Sequence, residues 1–326
     1  MSSATTILSL PNELLIAVAE VDQHDRHVYY PTTQKSEWIL SQVCRRFREA
    51  LTGAPALWSN IAIGTTWIPL KYGERLLERF KLFLRRSTPL KVSINLQVSY
   101  EDDVSMLTEL WLPEIAAEVD RVERLSFLLN SEHEDLSQVF APLNQLAAPN
   151  LVYLEISSDH MSAFHRCPLE IFSLGAPKLA TVRLYSFLPS KMPESWTSSL
   201  TRLELGAGLT PDQIDDEDIR SLLLSVVARP IALTYLRLHF PELRLEILGA
   251  QTLPWPHLKM LTLCRSSSGE DVRSALQEIA PHLPGKISKL RLDPKLFFAE
   301  DWQENCVDVE VFDPEEMLKL FRKFYA

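Results

Sequence analysis

The sequence predicts an α/β chain: a short helical module at residues 1–58, then a stack of strands in one parallel sheet over 59–326, with helical return segments. Three observations predict it. A pattern of apolar, two variable, apolar, one variable, apolar recurs seven times between Val122 and Leu292. Its copies begin at Val122, Leu151, Leu179, Leu200, Leu233, Leu258 and Ile287, so 165 residues hold six steps of 21 to 33, with a mean of 27.5. Before the copies, Leu10 to Trp58 carries two apolar faces at helical spacing, one on Leu14, Leu15 and Val18, the other on Val43, Cys44 and Phe47. A repeat of this length that ends in one short strand is too small to bury its own core, so neighbours must stack to supply it. That period and that core pattern are those of a solenoid of stacked strand-and-return units.

The elements follow in order. Pro11 suits a first helical turn, where a missing N–H costs nothing, and the helix is expected to run to Val21. Residues Asp22 to Gln34 form a polar interruption. Apolar spacing resumes at Ile39 and closes on Leu57-Trp58. Ile61-Ala62-Ile63 and Val92 to Leu96 read as strands of two degenerate repeats, preceded by Pro55 and Pro89. Tyr72 to Arg86 reads as an amphipathic helix, and Val104 to Val119 as another, broken or restarted at Pro113. Pro149, Pro177, Pro230, Pro256 and Pro284 each precede a repeat strand, where a turn tolerates the lost donor. Thr210-Pro211-Asp212-Gln213 offers a helix start before Ile219 and Leu222 to Val227. Gly269 leads into a helix over Val272 to Ile279. Cys306 to Phe312 alternates like a strand, and Pro314 to Phe324 reads as a closing helix.

The stretch Leu10-Pro11-Asn12-Glu13-Leu14-Leu15, then Val43-Cys44-Arg45-Arg46-Phe47, then Leu57-Trp58 resembles an F-box. That resemblance implies a roughly three-helix module docking on a Skp1-like adaptor in a cullin-based ubiquitin ligase. Leu10, Pro11, Leu14, Leu15, Val43, Cys44, Phe47, Leu57 and Trp58 are the implied adaptor contacts, although Trp58 can instead seal the joint to the repeats. The insertion Asp22 to Gln34 departs from the pattern, because a typical F-box has a short turn and a second leucine-rich helix there. The order of F-box, strand, helix ending near Arg85-Arg86-Ser87 and Pro-Leu-x-Val-x-Ile strand resembles F-box-like proteins of mushroom-forming fungi. The repeat copies resemble leucine-rich repeats, and a second departure is the missing Asn or Cys ladder after each strand: Asp159, Phe187, Gly208, Pro241, Ser266 and Lys295 occupy it from the second copy onward. The turns are therefore expected to be irregular.

In such repeats the variable residues between apolar positions line one face of the sheet. The central column there reads Ser126, Glu155, Arg183, Glu204, Arg237, Thr262, Arg291. The column before it contains Arg124, Tyr153, Thr181, Arg202, Tyr235, Met260 and Lys289, and the column after it includes Tyr185, His239 and Asp293. Arg and Tyr are enriched at protein interfaces. Arg124, Tyr153, Glu155, Arg183, Tyr185, Arg202, Glu204, Tyr235, Arg237 and His239 are thus candidates for binding a client protein. The competing reading is that Glu155, Arg183, Glu204 and Arg237 merely neutralise one another as exposed pairs, each worth under about 1 kcal/mol.

The expected function is a substrate-recognition subunit, with the alternative of an interaction scaffold that recruits no ligase. No enzymatic chemistry is expected. Asp22-x-His24-x-x-His27 lies in an expected loop without a fourth metal ligand, and His160, His165 and Cys167 lack a recognised zinc spacing. Gly206-Ala207-Gly208 precedes an acidic run, Asp212 to Asp218, that would repel phosphate. No catalytic residue, metal or cofactor is assigned. The 33 basic against 43 acidic residues give a net charge of −10, which argues against a nucleic-acid partner. No apolar run reaches the roughly 18 residues needed to span a bilayer. The first six residues lack a signal-peptide pattern, and the four cysteines form no framework, so a reducing cytoplasmic or nuclear location is expected.

Overall fold

The computed structural model describes residues 10–25, 39–64, 73–98, 106–129, 139–158, 165–166, 171–188, 192–197, 199–206, 232–239, 257–264, 289–293 and 307–309. The chain opens with helix α1 (Asn12–Asp25). The Pro11 carbonyl accepts its first backbone bonds, from Leu14 and Leu15. Glu13 sits in the first turn, where the helix dipole favours an anion. The helix runs past Val21, so Asp22 and His24, expected in a loop, are helical; His27 falls outside the described residues. A single turn at 39–43 leads into α2 (Arg45–Thr52). The remainder of the expected second helix and of the polar insertion falls outside the described residues.

Arg46 ties the two helices together. Its guanidinium donates to the Leu10 carbonyl and to Asn12 Oδ1, the latter at 3.2 Å. A 3-10 turn, Pro55–Trp58, then places Trp58 beneath α2, where its indole N–H donates to the Leu51 carbonyl at 2.8 Å. That carbonyl lies in the last turn of α2 and has no partner within the helix.

The strands follow: β1 (Asn60–Gly64), β2 (Val92–Val98), β3 (Val122–Leu129), β4 (Tyr153–Ser158), β5 (His165–Arg166), β6 (Thr181–Tyr185), β7 (Phe187–Leu188), β8 (Arg202–Gly206), β9 (Tyr235–His239), β10 (Met260–Cys264), β11 (Lys289–Asp293) and β12 (Val307–Val309). Ten of them form one sheet in the order β1-β2-β3-β4-β6-β8-β9-β10-β11-β12. All neighbours are parallel except the last pair, in which β12 runs antiparallel to β11. The class is α/β, and each sequence repeat contributes one strand beside its predecessor.

The register explains why the repeat pattern is apolar where it is. Ile61, Ile94, Leu125, Leu154, Val182, Leu203, Leu236, Leu261 and Leu290 are successive Cα partners across nine strands. From Ile61 to Leu236 every member is at most 1% exposed. The second apolar row, Ile63, Leu96, Phe127, Ile156, Leu184, Leu205 and Leu238, is buried beside it. Alternation along β2 and β3 sends the intervening residues to the opposite face.

The returns differ from expectation in part. After β1, α3 (Gly73–Arg86) matches the amphipathic stretch. After β2, a π-helical turn (Leu107–Trp111) runs into α4 (Leu112–Ala117), with Pro113 in the first turn of α4. Between β3 and β8 the expected helical returns are not found among the described residues, which hold a 3-10 turn (Ala141–Leu143) and the four-residue α5 (Glu194–Thr197). The last of these steps is only 21 residues, too short for a strand and a full helix. Backbone bonds between successive returns replace helical ones: Phe172 N–H donates to the Leu143 carbonyl at 3.1 Å, and Ala148 N–H to the Gly175 carbonyl at 2.7 Å. The turns are irregular, as the missing ladder implies. Gln145, Phe172 and Ser186 all have positive φ. Phe187, at a position where a ladder side chain is usual, is buried and pairs in β7 with β5. Helices expected over 219–227, 272–279 and 314–324 lie outside the described residues. Of the strand expected over 306–312, β12 is described.

Two polar ties lock the early repeats. Trp58 packs on Phe83 of α3 with ring centroids 5.3 Å apart, and the Arg86 guanidinium lies 4.3 Å over its ring. Arg121 reaches back from the turn before β3 to the carbonyls of Leu90 and Leu84 and the hydroxyls of Ser87 and Thr88. It thereby satisfies an end-of-helix carbonyl of α3 while joining two repeats.

Leu154 is fully buried in the middle of the apolar row. Leu154→Ala is expected to cost about 2–5 kcal/mol, read from the midpoint of urea unfolding. A loss below about 1 kcal/mol would contradict the packed row.

Candidate interaction surfaces

Two surfaces carry the sequence candidates. The first is at the N-terminus. Leu15 and Phe47 are each 2% exposed, and Leu57 and Trp58 are fully buried, so these four pack inside the chain. Trp58 sits at the joint between α2 and α3, by the contacts above. Leu14 is 50% exposed and Val43 58%, large values for apolar side chains. Pro11 is exposed, and Leu10 and Cys44 are half-buried. Val18, Val21 and Ile39, outside the candidate set, are 51%, 62% and 45% exposed. Leu14, Val18 and Val21 recur at i, i+4 and i+7, so they line one stripe of α1. That spacing was readable; what the sequence did not decide is which of two adjoining apolar stripes faces inward. Leu15 and Ala19 take the core side.

The second surface is the sheet face opposite the apolar rows. Its centre is Glu204 on β8, whose residue exposure is 0%. Its register partners in the neighbouring strands are Arg183 and Arg237. The Glu204 carboxylate accepts from Arg202 Nε at 2.6 Å and from the Tyr185 hydroxyl at 2.7 Å. Arg183 Nε lies 3.1 Å and Arg237 Nη1 3.9 Å from it. Gly206, register partner of Tyr185, has no side chain to block the phenol. The reading of Glu204 as one of several exposed, mutually neutralising charges is corrected here: three guanidinium groups and a tyrosine cover it.

Burial alone would raise the Glu204 carboxyl, but the Tyr185 hydrogen bond and the Arg183 and Arg202 charges outweigh it and hold it below the usual carboxylate value. Burial, and then the carboxylate beside it, pushes the Tyr185 phenol well up, so it stays a donor. Burial would lower Arg183, yet Glu204 keeps it firmly charged.

The rest of the face joins this centre. Tyr153 donates to Glu155 Oε2 at 2.5 Å, and Ser126 to the same oxygen at 3.2 Å. Arg183 Nη1 donates to the Tyr153 hydroxyl at 3.1 Å. Arg124 lies 4.1 Å over the Tyr153 ring, and Arg202 4.1 Å over the Tyr235 ring. Nine of the ten face candidates thus form one array; the His239 side chain lies outside the described residues. Ser126 belongs to the array too, although its small hydroxyl gave no sequence signal.

Among the described residues no group of three or more His, Cys, Asp or Glu is placed to hold a metal ion. His165 lies in β5, and its sequence neighbours His160 and Cys167 are outside the described residues. Gly206 ends β8, and the residues after it are also outside. No helix among the described residues is long and apolar enough to cross a membrane. Comparison with protein-family models, with curated proteins and with solved structures finds no match.

Glu204→Ala leaves three arginines facing a buried gap and is expected to cost about 3–5 kcal/mol. The pH dependence has a definite sign. With its folded value below the ordinary value of about 4.3, Glu204 adds stability that is complete above that value and is lost as pH falls through the lower folded value. The melting temperature of the native chain should fall on acidification below about pH 4. Glu204→Gln, already less stable at neutral pH, should show a shallower fall in that window. Parallel curves for the two would contradict the assignment.

Proposed function

We propose that the chain is a substrate-recognition subunit of a Skp1–cullin–F-box type ubiquitin ligase. The N-terminal helices bind the adaptor and the polar sheet face binds a client protein. The observation that carries the reading is the run of exposed apolar side chains, Leu14, Val18 and Val21 with Ile39 and Val43, within the stretch that resembles an F-box. Five large apolar residues, each close to or above half exposed, on α1 and the turn before α2 are costly to leave in water unless a partner covers them. The buried members of the motif, Leu15, Phe47, Leu57 and Trp58, have a different task in this reading. They fix the angle of the docking helices against α3 and so orient the repeat sheet relative to the adaptor.

The finer architecture belongs to the same proposal: residues 1–58 as an F-box-like module and 59–326 as an irregular leucine-rich-repeat solenoid. One strand per repeat and the continuous apolar rows support it. The subunit performs no chemistry of its own. It raises the effective concentration of the client beside the charged conjugating enzyme, which turns a bimolecular encounter into a local one. Such a subunit works in the cytoplasm or nucleus.

Capture by an immobilised Skp1-like adaptor tests this. The native chain is expected to be retained. Leu14→Asp/Val43→Asp, which alters only exposed positions, should lose retention while keeping its melting temperature within a few degrees. No retention of the native chain would favour the alternative, an interaction scaffold that recruits no ligase.

A further inference from the structure

The column of face residues nearest the strand starts has a period of its own. Arg124, Tyr153, Thr181, Arg202, Tyr235, Met260 and Lys289 are successive Cα partners from β3 to β11. Basic residues therefore recur at every third strand: Arg124, Arg202, Lys289. The first two are built alike. Each guanidinium lies 4.1 Å over the ring of the tyrosine on the next strand. Stacking on a ring fixes a guanidinium plane and leaves its N–H edges free to donate. Arg124 is exposed, and its one interaction among the described residues is that stack. Arg202 gives Nε and Nη2 to Glu204, and its side chain is still 39% exposed. On the face from β3 to β9, four arginines (Arg124, Arg183, Arg202, Arg237) meet two glutamates (Glu155, Glu204), a local excess of positive charge on a chain of net charge −10.

Three strand steps of about 4.8 Å separate Arg124 from Arg202, about 14 Å in all. An extended peptide covers about 3.3–3.6 Å per residue, so four residues span the same distance. We infer that this column binds an extended acidic segment of a client protein, laid across the strands, with carboxylates four residues apart facing Arg124 and Arg202. A third carboxylate, four residues further on, falls at the register position of Lys289. The inference rests on the proposed role of the sheet face and names the chemistry of what that face recognises. The specificity lies in the spacing as well as the charge. Two guanidinium groups held by separate rings cannot close on carboxylates two residues apart without giving up a stack.

Fluorescence anisotropy with labelled Ser/Gly peptides tests it on the full chain. One peptide carries glutamates at positions 1, 5 and 9, a second carries three glutamates at positions 4, 5 and 6, and a third has glutamine in place of the glutamates of the first. The first is expected to bind at least about tenfold more tightly than the second, and the third not measurably. Binding of the first should weaken steeply with added salt. Arg124→Glu, an exposed change, should abolish binding with the melting temperature unchanged, and Arg124→Lys should retain part of it. Equal affinity for the first two peptides, binding of the glutamine peptide, or full affinity in Arg124→Glu would overturn the inference. Adaptor capture measured on the same samples separates the two readings. Capture without spacing-dependent peptide binding sinks this inference alone, and peptide binding without capture sinks the ligase role alone.

Discussion

The whole molecule depends on one constraint: no repeat can bury its apolar residues by itself. A strand such as Thr181–Tyr185 offers the core two side chains, Val182 and Leu184. They become fully buried because Leu154 and Leu203 sit beside Val182, and Ile156 and Leu205 beside Leu184. Each such burial is worth roughly 1.5–3 kcal/mol, and it exists only while both neighbouring strands are in register. Register is thus a cooperative property. A slip by one residue in β6 would turn Arg183 inward and Val182 out.

That same constraint produces the polar face. Once Val182 and Leu184 point one way, Thr181, Arg183 and Tyr185 must point the other. Stacking then brings side chains about 30 residues apart in sequence to within hydrogen-bonding distance, as with Arg183 and Tyr153. Glu204 shows how far this goes. Its burial comes from the three arginines and the tyrosine that the register delivers around it, and not from the apolar core. The cluster fixes the relative positions of β6, β8 and β9 and orients Arg202 on Tyr235. The apolar rows set where the face lies, and the charge cluster sets how rigid it is.

Much of this was legible in the sequence, and the reasons differ by element. The strands were readable because period-two alternation within a longer repeat is a strong signal, and every repeat strand from β3 to β11 holds the second and third apolar positions of its predicted copy. α3 was readable from its amphipathic spacing. In the central returns the described residues hold only short turns of helix where longer helices were expected; the 21-residue step from Leu179 to Leu200 holds the four-residue α5, and backbone bonding joins the returns around Leu143, Ala148, Phe172 and Gly175. At the N-terminus, the sequence marked apolar faces at helical spacing but could not sort their residues. Leu14 and Leu15 are neighbours of the same type, and only the packing of α1 against α2 and the Pro55–Trp58 turn decides that Leu15 turns in. On the face, the alternation of Glu and Arg was visible, but burial of Glu204 was not, since it needs Arg183, Arg202, Arg237 and the Tyr185 hydroxyl to converge on it from three strands.

A distance across the stack tests the account most directly. Lys91 and Lys259 are exposed and lie just before β2 and β10, six strands apart in the sheet order. With native cysteines replaced and a spin label at each of these two positions, pulsed electron resonance should give one narrow distribution near about 29 Å, six steps of the strand spacing. A distribution centred below about 20 Å, or one spread without a maximum, would mean that the strands do not lie side by side in this order.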